Sequence, residues 1–296
     1  MKDKFIMYLK LEKKYSENTI NSYNEDIERF GDYLDSQNID VRKCNKEVVR
    51  DYLKYLDSLK LKNSSISRNM SSLRTYFDYL VTHGYVDTNP IRGMKNPKKE
   101  KKLPNFLSYE EFLKLLEAIK SDDALSVRNK LIVEMLFATG VRVSELCNIK
   151  LDDIDYRNQS IRIMGKGSKE RIVYYGAYAK DLLEEYIGYE RNILLKGKKS
   201  DYLLINNKST PLLRGGVEMI IDEIAFKASL KNKISPHVLR HTFATHLLNE
   251  GCDILSVQEL LGHESLRATQ VYTHITNEGL RNIYNISHPR NHKNIK

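Results

Sequence analysis

A chain of 296 residues with 41% hydrophobic content is long enough for two domains with cores of their own and too apolar for a disordered one. Its 48 Lys and Arg against 39 Asp and Glu leave a net charge of +9 and a pI of about 9.2, which favours an acidic partner, nucleic acid being the commonest, with a merely basic enzyme as the alternative on charge alone. Cys44, Cys147 and Cys252 are too widely spaced for a disulfide framework or a zinc knuckle, no N-terminal stretch resembles a signal peptide, and no run approaches the roughly 18 apolar residues of a membrane span; a cytosolic protein with no membrane partner is expected.

In chain order, Ser16 is placed to cap a helix in which Ile20, Tyr23, Ile27, Phe30 and Leu34 recur at three-to-four spacing. A second helix is predicted near Glu47–Leu56. A third follows Ser67, with Met70, Leu73, Phe77 and Leu80 on one stripe, and is stopped by Gly84. This bundle carries Arg68 and Arg74, which are either DNA-phosphate contacts or solvated surface arginines.

Periodicity then stops at Asn96-Pro-Lys-Lys-Glu-Lys-Lys-Leu-Pro104. Two prolines bracket a run of charge with almost nothing to bury, which reads as a basic interdomain strap or, alternatively, a surface loop. The expected domains are therefore residues 1–95, a linker over 96–104, and residues 105–296. Lys98, Lys99, Lys101 and Lys102 of the strap are candidate DNA contacts.

Beyond the linker, Ser108-Tyr-Glu-Glu111 resembles a capping box that opens a helix toward Ile119. A strongly apolar helix runs from about Asn129 to Ala138 and ends at Gly140. Two strand-like runs, Ser160–Met164 and Glu170–Tyr175, flank the hairpin signal Gly165-Lys-Gly-Ser-Lys169. Ser256-Val-Gln-Glu259 reads as a further capping box before a short helix that Gly262 ends, and Gly279–Ile286 as a last helix. The fold class is mainly α with a small β element: a helical N-terminal bundle and an α-rich second domain with a β-hairpin.

Six residues of the second domain hold the functional groups to grip a phosphate and break one of its ester bonds: Arg142, Lys166, His237, Arg240, His263 and Tyr272. Ser235-Pro236 is a strong helix start, with serine at the N-cap and proline at the first helical position. It sets His237 and Arg240 on one face of the first turns, where orphan backbone N–H groups also attract anions. Arg142 lies just past the glycine that ends the apolar helix. Its planar fork suits two phosphate oxygens, unless it merely answers the helix dipole. Glu145, three residues on, is placed to hold it. Lys166 sits between glycines at the hairpin tip, either a proton donor or a solvated turn residue; the string lacks Walker A spacing. His237 and His241 are four apart, but no HExxH motif and no carboxylate accompanies them, so no metal site is expected. Tyr272 is one of 19 tyrosines and is unremarkable by count.

The order of these residues resembles the tyrosine recombinases, also called the phage integrase family. The strings that carry it are Ala138-Thr-Gly-Val-Arg-Val-Ser-Glu-Leu146, Gly165-Lys-Gly-Ser-Lys-Glu-Arg171, His237-Val-Leu-Arg-His-Thr-Phe-Ala-Thr-His246, and Leu261-Gly-His263 with Tyr272. The N-terminal bundle and the ending His288-Pro-Arg290 look like the short bacterial Xer recombinases. The resemblance implies a site-specific recombinase acting through a 3′-phosphotyrosyl intermediate, in the cytoplasm of a bacterium. Tyr272 would be the nucleophile and Arg142, Arg240 and His263 would stabilise charge on the phosphate. His237 would hold the phosphate and accept the tyrosine proton, Lys166 would protonate the departing 5′ oxygen, and Glu145 would orient the first arginine. It implies no cofactor. The implied partners are duplex DNA with paired recognition sites and a tetramer of like or related subunits, in which the 279–286 helix either docks on a neighbour or packs on its own domain. A type IB topoisomerase and a non-catalytic DNA-binding factor are the competing readings.

Overall fold

The computed structural model describes residues 1–97, 106–120, 123–165, 169–262 and 277–291. The chain separates into two compact units, Met1–Lys102 and Leu103–Lys296. The strap lysines Lys98, Lys99, Lys101 and Lys102 lie outside the described residues.

The first unit is a bundle of α1 (Lys2–Leu11), α2 (Glu17–Ser36), α3 (Lys46–Ser58) and α4 (Asn63–Thr82). The Ser16 hydroxyl caps α2 by accepting from the Thr19 amide. Ile27, Phe30 and Leu34 of α2 meet Tyr52 and Leu56 of α3 and Met70, Leu73, Phe77 and Leu80 of α4 in one core. Two corrections apply here. α1 goes unassigned in the sequence reading because its pattern is short: Phe5 and Leu9, one turn apart, are its only fully buried residues, and both join the same core. α4 begins at Asn63, about a turn before Ser67, because Ser67 is itself buried within the helix and takes no part in capping it.

The second unit comprises α5 (Tyr109–Glu117), α6 (Ala124–Thr139), α7 (Val143–Cys147), β1 (Ile154–Asp155), β2 (Ser160–Met164), β3 (Glu170–Tyr174), α8 (Ala177–Glu185), α9 (Arg191–Leu195), α10 (Arg214–Lys227), α11 (Pro236–Asn249), α12 (Ile254–Leu261) and α13 (Asn277–Ser287). The Ser108–Glu111 capping box is present. From Leu131 to Thr139 every residue of α6 is buried, with Glu134 the one charged residue among them, so this half of the helix runs through the core. α6 starts at Ala124, ahead of the expected Asn129, because Asp123 caps the helix with its carboxylate at the Ser126 amide. Gly140 closes α6 in the left-handed region at φ 60°. A Cβ there would lie within 2.9 Å of the Leu261 side chain and closer still to the Phe243 ring.

β1, β2 and β3 form an antiparallel sheet in that order. The β2–β3 register runs from Ser160 opposite Tyr174 to Met164 opposite Glu170, and the Gly165 amide donates to the Lys169 carbonyl to close the hairpin. α12 also departs from expectation. Its N-cap is Asp253, which accepts from the amides of Leu255 and Ser256, and Ser256 is buried one turn inside. Aspartate competes effectively for the cap position, so the Ser256–Glu259 reading started the helix too late.

α13 packs on its own unit. Leu280 and Tyr284 are buried with Tyr174, Phe243, Leu247 and Leu260, and Ile283 is packed against them; Ile286 is 84% exposed. Beyond it, Arg290 donates to the buried carboxylate of Glu134 at 2.7 Å and lies 3.8 Å over the Tyr178 ring. The Ala177 amide donates to the Asn291 carbonyl, and the Arg290 carbonyl occupies the space a Cβ on Gly176 would need. No helix among the described residues is long and apolar enough to cross a membrane.

Candidate active site

The end of α6, the start of α7, strand β3, the start of α11 and the end of α12 converge through three arginines and one glutamate. Arg142 is the N-cap of α7, two residues past the left-handed Gly140. Its amide donates to Glu145 Oε2 at 2.8 Å, its Nη1 to Glu145 Oε1 at 2.8 Å, and its Nη2 to the Gly262 carbonyl at 3.3 Å. Of its side chain, 44% stays exposed.

Arg240 behaves differently. It is 6% exposed and extends from α11 between two helix ends, donating from Nη1 to the Gly140 carbonyl and from Nη2 to the Leu261 carbonyl at 2.7 Å. Arg240, not Arg142, therefore answers the C-terminal end of α6. Burial, and then the neighbouring Arg142, pull its guanidinium down to about 10, so it stays charged near neutral pH.

Glu145 is buried, which by itself raises its carboxyl. Hydrogen bonds from Arg171 and Arg142 outweigh that burial and bring it down to about 2. Both of its oxygens are engaged twice, since Arg171 adds Nη1 to Oε1 at 3.0 Å and Nη2 to Oε2 at 2.7 Å. Arg171 is the residue the sequence reading left unassigned. It shares the inward face of β3 with the buried Val173, while Glu170 and Ile172 point outward. A cation at an inward strand position, flanked by exposed residues, was the available signal. Three guanidiniums around one carboxylate leave a surplus of positive charge.

His237 stands exposed on the first turn of α11, three residues before Arg240. The helix starts as expected, with Pro236 at the first position and the Ser235 hydroxyl accepting from the Val238 amide. His241 and His246 do not pair with each other: the His241 ring meets Phe106, and His246 Nε2 lies 3.1 Å from the Leu107 carbonyl. Lys166, His263 and Tyr272 lie outside the described residues. In the first unit, Arg68 is ion-paired at 2.9 Å with the fully buried Asp26, and Arg74 donates to the Met94 carbonyl and to Asn96. Both arginines thus have partners within the bundle.

The chain matches the model of the phage integrase family over residues 105–278 and that of the phage integrase N-terminal SAM-like domain over residues 3–84. It is 40% identical to Tyrosine recombinase XerC of Staphylococcus aureus (strain USA300 / TCH1516) over 290 residues, which cover 98% of this chain and 97% of the relative. Among solved structures it is similar to the XerA recombinase, with 31% identity, a TM-score of 0.51 and 98% of each chain covered. It is also similar to the XerH site-specific recombinase bound to a palindromic difH substrate in a post-cleavage complex. There the identity is 25% and the TM-score 0.73, over 97% of this chain and 84% of that one.

Proposed function

This chain belongs to the phage integrase family of tyrosine recombinases, and we propose that it cuts and rejoins duplex DNA at specific sites through a 3′-phosphotyrosyl link to Tyr272. The observation that supports this most is the paired placement of Arg142 and Arg240 around the ends of α6 and α12. One guanidinium is buried and tied to two carbonyls; the other is clamped by Glu145 yet keeps a large exposed face. Such donors are fixed before the substrate arrives, so they stabilise developing charge without reorganising.

In the reaction, the Tyr272 oxygen attacks the scissile phosphorus and the bond to the 5′ oxygen breaks. Free tyrosine titrates near pH 10, so attack at neutral pH needs a base and a cationic surround. His237, on the first turn of α11, takes the phenolic proton. Arg142, Arg240 and His263 hold the non-bridging oxygens, and Lys166 protonates the departing 5′ oxygen, which leaves as the hydroxyl. The phosphodiester energy is retained in the tyrosyl link, so a 5′ hydroxyl from a second strand reverses the step and rejoins the DNA. Nothing in this scheme consumes ATP, and no metal ligand is required of the residues involved.

The helical unit that contains Arg68 and Arg74 and the strap that contains Lys98, Lys99, Lys101 and Lys102 hold the duplex by its phosphates, while the second unit supplies the chemistry. Four protomers assemble on two sites, as a homo-tetramer or with a related recombinase. The 40% identity to a XerC tyrosine recombinase over nearly the whole chain supports a Xer-like role in the bacterial cytoplasm, either the resolution of chromosome dimers or the integration and excision of a mobile element.

The test is adduct formation. The protein is mixed with nicked duplexes carrying fragments of its host genome, with Tyr272→Phe alongside and a related recombinase added in a parallel set. A covalent protein–DNA adduct with the wild type and none with Tyr272→Phe is expected, and sequencing the trapped DNA identifies the target. DNA binding with no adduct under all these conditions would transfer the protein to the non-catalytic DNA-binding class.

A further inference from the structure

We propose that Arg171 is a positioning residue for strand cleavage: from β3 it fixes, through Glu145, the orientation of the Arg142 guanidinium. The inference rests on the recombinase reading above and extends it to a residue that would not touch the DNA.

Four groups form a closed ring of contacts. Arg171 forks onto both oxygens of Glu145, and the same carboxylate takes the amide and Nη1 of Arg142. Arg142 Nη2 reaches the Gly262 carbonyl, and Gly262 lies against Arg171. That last approach is close enough that a Cβ on Gly262 would fall 2.8 Å from Arg171 Cδ and 2.9 Å from Nε. The ring therefore ties strand β3, the start of α7 and the end of α12 to one another.

Glu145 alone is a poor anchor. It stands on a helix of five residues, and a carboxylate held from one side is free to turn about its own torsions. The Arg171 fork defines the plane of that carboxylate, and the plane in turn defines where Arg142 Nη1 must lie. Exposure separates the two roles. Arg171 has 15% of its side chain accessible against 44% for Arg142, so Arg171 has little surface to offer a phosphate. Its Nε is buried and has no hydrogen-bond partner among the described residues, so the fork onto Glu145 supplies the polar contacts that orient the guanidinium. A lysine would supply the charge but not the fork.

The experiment uses the full chain and a nicked duplex carrying the site recovered from wild-type adducts. Arg171→Lys keeps the charge, and thermal melting of the variant reports on its fold. The expected result is single-turnover cleavage slowed roughly 10- to 100-fold, the scale of a misplacement of about 1 Å, with DNA affinity and melting midpoint close to wild type. Glu145→Gln should lose a similar factor, and the double variant little more, because both changes break the same ring. On a substrate with a methyl group replacing one non-bridging oxygen of the scissile phosphate, less charge needs stabilising and the loss should shrink. Wild-type cleavage by Arg171→Lys would overturn the proposal. So would a loss matched by an equal loss of affinity or stability, or losses that multiply in the double variant. Absence of any adduct with the wild type would instead overturn the recombinase reading itself, and this inference with it.

Discussion

Among the described cations of the proposed site, Arg240 is the most buried. Burial disfavours its charge, yet two helix-end carbonyls keep it hydrogen-bonded and preorganised. Removing one such donor typically costs about 10²–10³ in rate. Arg240→Ala should therefore lower single-turnover cleavage by at least that factor while duplex binding, measured in parallel, changes much less. It should also lower the melting midpoint, because the Gly140 and Leu261 carbonyls would be left unsatisfied at about 1–3 kcal/mol each. Near-normal cleavage would remove Arg240 from the site. At this scale the sequence was legible where partners are close in the chain. Arg142 and Glu145 are three residues apart, and Ser235-Pro236 announces the turn that holds His237 and Arg240. The strand pattern marks Arg171 as an inward cation but does not name its partner, because Glu145 lies 26 residues away on another element.

Among the elements, α6 and α13 set the frame. α6 is buried along its C-terminal half, so the Gly140–Arg142 turn at its end has little freedom to shift. α13 closes over the site's supporting core and leads to His288, which is packed among Phe137, Phe243 and Tyr284. The His288 Nδ1 accepts from the Arg290 amide, and its Nε2 lies 3.3 Å from the Phe137 carbonyl, a pattern that fits the neutral ring with its proton on Nε2. Burial holds this histidine down to about 3. Unfolded, it would take a proton near pH 6.5. Between about pH 6.5 and pH 3 the unfolded chain thus binds the extra proton, and stability must fall as pH falls through that window. Above it the contribution is fully present. His288→Gln should flatten the dependence of the denaturation midpoint on pH between about 6.5 and 5, before the carboxylates titrate. An unchanged slope would show that another group carries the acid sensitivity.

At the largest scale, each of the two units buries a hydrophobic core of its own and the chain carries a net charge of +9, a combination suited to holding a polyanion by more than one unit. If phosphate contacts from both units dominate affinity, binding should be strongly salt-dependent. A loss of about 10³ or more in affinity between 50 and 200 mM salt, the signature of six or more phosphate contacts, is expected in a titration against a duplex carrying the target. A flat salt response would place the affinity in base or apolar contacts instead. The buried pair Arg290–Glu134 secures the end of α13 to α6. That attachment keeps Leu280 and Tyr284 on their own unit and leaves Ile286 as the exposed apolar residue of the helix.

The features legible in the amino-acid order are local and periodic. The amphipathic helices of the bundle, the apolar run of α6, the glycine stops at Gly140 and Gly262, and the hairpin around Gly165 all follow from spacing, capping and backbone preference within a few residues. The order of the motifs likewise carried the family, because each string keeps its own residues together. Which cation meets which acceptor is set by the folded arrangement of the elements. Arg240 instead of Arg142 answers the end of α6, Arg171 joins Glu145, and Tyr284 and His288 go into the core. These are contacts between elements distant in sequence, and no local propensity encodes a distant partner. They are settled by which buried polar groups must find acceptors once the apolar faces have closed.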